Sequence, residues 1–201
     1  MELFDAIREE KGRVLELLLT EVETRYHQDA LMEQPRQHEP FSVSNMDMSK
    51  ACCFSGRRTE KLAQPKDEYL KRLIGATLDS YEKGYRFYLS GMSRGVGLWA
   101  CEVVLSLRAF YPDIRLIVAV PFEGMAKRWA QMERQACQMA LHQADAVQVL
   151  AAQYSPAVYQ ARNMWLVDHA ALVIAVSEAD QGGMQNTLRY AQKRGKEIWR
   201  V

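Results

Sequence analysis

Residues 88–100, Tyr-Leu-Ser-Gly-Met-Ser-Arg-Gly-Val-Gly-Leu-Trp-Ala, pass from an apolar run into a glycine-rich turn and straight into a helical pattern. Arg86 to Leu89 reads as a strand and Gly95 to Phe110 as a helix stopped by Tyr111-Pro112-Asp113. The same alternation extends in both directions. Upstream, Ala51-Cys52-Cys53-Phe54 reads as a strand, followed by a helix carrying Tyr69, Leu70, Leu73, Ile74 and Leu78 at three- and four-residue spacings and ending near Gly84. Downstream, the β-branched run Ile114 to Val120, bounded by Pro121, reads as a strand buried on both faces. Lys127 to His142 reads as a helix, Ala146 to Leu150 as a strand and Val158 to Val167 as a helix. Leu172 to Val176 reads as a strand, Met184 to Arg194 as a helix and Glu197 to Val201 as a final strand. Strand and helix taking turns over 150 residues predicts an α/β domain with a mostly parallel sheet and helices on both faces.

The first 50 residues differ. Leu3, Phe4, Ile7, Val14, Leu15, Leu18, Leu19 and Val22 lie among charged residues at helical spacing, so residues 1–32 are expected to form an amphipathic helix. Residues 33–50, with Pro35 and Pro40 and no periodicity, read as a linker to the domain at 51–201. The near-neutral total of 26 basic and 25 acidic residues hides an asymmetry. Residues 1–50 hold 6 basic and 11 acidic side chains, and residues 51–201 hold 20 and 14. The helix can pack on its own domain, or pair with a second copy or a partner protein.

The overall charge of +1 disfavours non-specific polyanion binding, and no apolar run approaches the roughly 20 residues of a membrane helix. The acidic start, unlike a signal peptide, predicts a cytoplasmic protein with no membrane partner. Cys52, Cys53, Cys101 and Cys137 form no C-x-x-C pair and no zinc-spaced cluster, so no metal site is expected and they read as small core residues.

In a parallel sheet, ligands sit beyond the carboxyl ends of the strands, where helix N-termini offer free amides. Ser55-Gly56-Arg57-Arg58, Gly91 to Gly95 and Gly182-Gly183 all occupy such positions. Gly91 and Gly95 can bring amides to a phosphate and Arg94 can add charge, although glycines also simply permit a tight turn. The spacing is neither the dinucleotide G-x-G-x-x-G nor a Walker loop. Ser55, Ser90 and Ser93 have no His/Asp partners at matching strand ends and read as turn caps or phosphate donors. Pro121-Phe122 is placed to wall a base, and Tyr154 and Tyr159 to form a stacking lid or a loop brace.

Taken in order, CCFSGRRTEKL, YLSGMSRGVGLWACEVVL, PDIRLIVAVPF, the YSP…RNMWLVDHAALVIAV block and GGMQNTLRYAQKRGK resemble the YpsA-like branch of the SLOG superfamily. That superfamily groups Rossmann-like proteins related to DNA-processing protein A and the Lonely Guy nucleotide hydrolases. The resemblance covers about residues 51–201. It implies a Rossmann-like domain that binds a nucleotide or nucleotide-derived ligand, such as ADP-ribose or an NAD-like species, as a sensor or regulator with no obligatory cofactor. Ser55, Gly56, Arg57, Arg58, Gly91, Met92, Ser93, Arg94, Gly95, Pro121, Phe122, Arg162, Asn163, Gly182, Gly183, Asn186 and Thr187 are the implied ligand-binding positions. Here Arg57 replaces the branch's usual histidine and Gly97 its usual aspartate, which makes the pocket more cationic and proton transfer less apt.

Two alternatives accompany this reading. A glycosidase of Lonely Guy type would use Arg162, but Met184 to Arg189 contains no counterpart of the family's glutamate. Glu102 is the remaining carboxylate candidate, with a salt-bridged structural role as its other reading. Single-stranded nucleic-acid binding, as in the DNA-processing relatives, is permitted by the basic domain but lacks an aromatic-and-basic stacking platform in the sequence.

Overall fold

Six strands lie side by side in the computed structural model, which describes residues 41–176 and 183–201 together with Arg13, Glu16, Leu17 and Thr20. They are β1 (Ala51–Gly56), β2 (Phe87–Ser90), β3 (Arg115–Val120), β4 (Ala146–Val149), β5 (Leu172–Val176) and β6 (Glu197–Arg200). Every pairing is parallel and the order is β4-β3-β2-β1-β5-β6. The strands alternate with α1 (Lys66–Glu82), α2 (Val96–Leu107), α3 (Gln131–Gln143), α4 (Val158–Asp168) and α5 (Gly183–Lys193). This is the Rossmann-like α/β arrangement that the alternation predicts. Arg13, Glu16, Leu17 and Thr20 are helical and exposed, while the rest of the expected helix at 1–32 lies outside the described residues.

Side chains alternate across each strand, so one sheet feeds two cores. Cys52, Phe54, Tyr88, Leu116, Val118 and Ile174 face the layer of α1, α2 and α3. Ala51, Cys53, Leu89, Ile117, Val173 and Ala175 face α4 and α5 through Leu166, Val167, Met184 and Leu188. The adjacent Cys52 and Cys53 therefore belong to opposite cores, and burial pushes the Cys53 thiol up to about 12. All four cysteines are free and buried. All twelve residues of α2 are buried, because it lies between α1 and α3 as well as on the sheet.

Two segments depart from the sequence expectation. The helix expected from Lys127 starts at Gln131, since Gly124 takes a left-handed φ of 71° and residues 124–129 close short turns, Lys127 N–H to Gly124 O and Trp129 N–H to Ala126 O. Within the expected linker, residues 43–50 form two 3-10 turns; nearby Phe41 stacks on Phe87 at 5.6 Å and Met46 is buried. The domain thus begins about ten residues before β1.

The order of strands positions the site. β1 is flanked by β2 on one side and β5 on the other, so the chain winds outward to β4 and then crosses back to the far side of β1. Where the winding reverses, the helices that follow β1 and β5, α1 and α5, lie on opposite faces of the sheet, and a crevice opens beside the end of β1.

Candidate functional site

A cavity of about 460 Å³ occupies that crevice. The end of β1 and its loop contribute Ser55, Gly56, Arg57 and Arg58, and the 3-10 turn behind them contributes Lys61. The glycine turn contributes Gly91 and Ser93, with Gly97 from the first turn of α2. Tyr159, Arg162, Asn163 and Leu166 enter from α4, at the spacing that shares one helical face, and Gly183, Met184 and Thr187 enter from α5.

The glycine turn is held by its own residues. Ser90 Oγ donates to the Gly97 carbonyl at 2.7 Å and accepts the Met92 N–H at 3.2 Å. Met92 takes a φ of 56°, and its fully buried sulfur accepts the Cys101 thiol at 3.6 Å. Gly95, at φ 77°, lies so close to the β1 loop that a Cβ would meet Thr59 N at 2.7 Å and Arg57 O at 2.9 Å. Both obstacles are backbone. Gly95→Ala is therefore expected to cost about 1–3 kcal/mol from the strained dihedral, with the collision adding to it. Urea unfolding would measure this, and a loss below about 0.5 kcal/mol would show that the two loops are not in register contact.

Arg162 dominates the electrostatics. Its residue is only 6% exposed, yet no carboxylate pairs with it among the described residues. Its Nη1 donates to the Gly91 carbonyl, and its Nε is buried without a partner among the described residues. Burial, with repulsion from Arg58 adding to it, brings the guanidinium down to about 10. A Cβ on Gly91 would run into that guanidinium, so any other residue there requires the Arg162 side chain to shift. Arg57, Arg58 and Lys61 also line the cavity, and none of the described lining residues is acidic.

An aromatic group borders the cationic part. Tyr159 lines the cavity and meets Phe122 edge-on at 6.0 Å; Phe122 meets Tyr154 at 5.5 Å. The Arg58 guanidinium lies over the Tyr159 ring, 5.6 Å from its centroid.

Ten of the positions expected to contact ligand come together around the cavity: Ser55, Gly56, Arg57, Arg58, Gly91, Ser93, Arg162, Asn163, Gly183 and Thr187. Others do different work. Met92 is in the core beneath the turn, and Gly95 joins the turn to the β1 loop. Arg94 turns away to ion pairs with Glu60 and, at 3.9 Å, Glu133. Pro121 is buried and Phe122 braces Tyr159. Asn186 is exposed on α5, and Gly182 lies outside the described residues. Glu102 is 7% exposed and meets Lys66 at 3.4 Å on the α1 side, away from the cavity lining. Lys61 is a lining residue that the sequence reading missed; the basic cluster Arg57, Arg58, Lys61 was the signal. Asp168 is occupied by the Tyr190 hydroxyl and Arg194, each at 3.0 Å, while His169 stacks on Trp165.

A parallel six-stranded sheet with a cationic crevice at its switch point defines a Rossmann-like α/β protein. The family model YpsA, described as the YspA SLOG family, matches residues 53–199, and the chain belongs to that family. The uncharacterized SPbeta prophage-derived protein YoqJ of Bacillus subtilis (strain 168) is 30% identical over 134 residues, 60% of this chain and 78% of that protein. A UPF0398 protein of Bacillus thuringiensis (strain Al Hakam) is 28% identical over 137 residues, 67% and 74% of the two chains. Among solved structures, DNA processing protein A of Helicobacter pylori, described for its single-stranded DNA binding mode, shares the fold with a TM-score of 0.57 and 18% identity, covering 82% of this chain and 74% of that one. Among the described residues no helix is long and apolar enough to cross a membrane.

Proposed function

We propose that the crevice binds the phosphate of a nucleotide-derived ligand, of the ADP-ribose or NAD-like kind, and that the domain acts as a ligand-responsive regulator. The observation that carries this reading is Arg162, a buried cation facing a cavity with no carboxylate partner among the described residues. A buried charge is costly unless it is paired, and a phosphate supplies the missing pair with charge-assisted hydrogen bonds. The first turn of α2 adds a favourable dipole at Gly97. A volume of about 460 Å³ falls within the range of small-molecule sites, roughly 300–1,000 Å³. Glycosidic cleavage needs a carboxylate to stabilise the sugar cation, and the described lining has none, which favours binding over turnover.

A thermal-shift screen of the full chain against AMP, ADP-ribose, NAD, a cyclic dinucleotide and a short single-stranded DNA tests the proposal. Single-stranded DNA is included because the Helicobacter pylori protein binds it. The expected result is a rise in melting temperature with at least one nucleotide, lost in Arg162→Ala and in Gly91→Glu, whose carboxylate would itself neutralise the guanidinium. No rise with any nucleotide, or a rise with DNA alone that both variants retain, overturns it.

A further inference from the structure

We propose that the base of the ligand is clamped between the Arg58 guanidinium and the Tyr159 ring, so that the crevice selects a nucleotide over a sugar phosphate. The inference rests on the anion-binding reading above and adds what lies beside the anion. Tyr159 precedes Arg162 by three residues on α4, so their Cα atoms lie about 4.5 Å apart along the helix, and both side chains line the cavity. A ligand whose phosphate meets Arg162 therefore presents its adjoining group to Tyr159.

The spacing of the pair suits a planar guest. Arg58 Cζ lies 5.6 Å from the ring centroid, beyond direct stacking contact, whereas a base between them requires about 7 Å, two contacts of about 3.5 Å each. Arg58 is exposed and meets no carboxylate among the described residues, so a change of rotamer of about 1.5 Å opens the gap without disturbing the core. The Tyr159 ring cannot retreat in the same way. Phe122 and Tyr154 meet it in T-shaped contacts at 6.0 Å and 6.4 Å, a geometry that holds its plane, and the face under Arg58 is the one a guest would share. A guanidinium and an aromatic ring both stack on a π-face, which every nucleobase has and ribose 5-phosphate lacks.

Calorimetric titration of the full chain with AMP and with ribose 5-phosphate tests the clamp in the wild type, Tyr159→Leu, Tyr159→Phe and Arg58→Ala. The expected result is a wild-type preference for AMP of about tenfold or more, the worth of one stacked base. Tyr159→Leu and Arg58→Ala should each reduce that preference severalfold, and Tyr159→Phe, which keeps the ring, should retain it. Equal wild-type affinity for the two ligands, or a preference that survives in both Tyr159→Leu and Arg58→Ala, overturns the clamp alone. Absence of binding by either ligand to the wild type overturns the anion-binding reading and the clamp with it.

Discussion

Replacing Arg162 by methionine should make the empty protein more stable and deaf to nucleotides. The two effects have one cause. A guanidinium held in a low-dielectric crevice with no carboxylate among the described residues loses hydration that the Gly91 carbonyl replaces only in part. Burial brings its folded-state pKa down to about 10, below the ordinary guanidinium range. For a cation this sign means a destabilising contribution, fully present at neutral pH and relieved only as pH rises above about 10. Methionine fills similar volume with no charge. Against the relieved desolvation stands the lost hydrogen bond to Gly91, about 1 kcal/mol, so a net gain of about 1–2 kcal/mol in urea unfolding is expected. Nucleotide affinity should fall about a hundredfold or more with the charge-assisted contacts. A methionine variant less stable than the wild type that still responds to nucleotide would contradict both halves.

The opposite outcome is expected at Asp145, where the buried charge has partners. Its side chain is 2% exposed; Oδ2 accepts from Arg108 at 2.6 Å and from the Leu116 N–H at 2.8 Å, and Arg115 stands 3.5 Å from Oδ1. Arg108 follows the last residue of α2, where a cation is favoured by the helix dipole, and also donates to the Gln143 carbonyl. One carboxylate thus ties the end of α2 to the β3 and β4 edge of the sheet. Asp145→Ala takes the carboxylate away from the Arg108 charge and the Leu116 N–H in a dry setting. The expected loss is about 3–5 kcal/mol, on the order of 10 °C in melting temperature for a chain of this size. Because the cost lies in the abandoned partner, Asp145→Leu combined with Arg108→Met should recover much of it. A double variant no better than Asp145→Ala would assign the loss to the Leu116 hydrogen bond instead.

What the sequence made legible follows the range of the interactions involved. The central strands were readable because burial on both faces demands an unbroken apolar run, as in Leu116 to Val120 and Leu172 to Val176. The glycine turn was readable because Gly95 must adopt a dihedral other residues avoid. The fate of Arg94 was not, since Glu60 lies 34 positions away and Glu133 on a different helix. The burial of Arg162 was equally hidden. Tyr159-Gln160-Ala161-Arg162-Asn163 reads as an ordinary half-polar helix, and only the docking of α4 against β3 and α5, with the Gly91 carbonyl beneath it, removes the guanidinium from water. The start of α3 was misplaced because Lys127 to Ala130 continues a helical periodicity that the turns after Gly124 override.

The strand order also sets when the crevice can exist during synthesis. Cys52 pairs with Leu172, 120 positions later, whereas β1 to β4 are joined to their neighbours by much shorter stretches of chain. A growing chain can therefore assemble four strands and three helices while one side of β1 still faces solvent. Until α4 and α5 dock, Arg57 and Arg58 have no opposite wall, so the crevice is complete only when nearly the whole chain has been made.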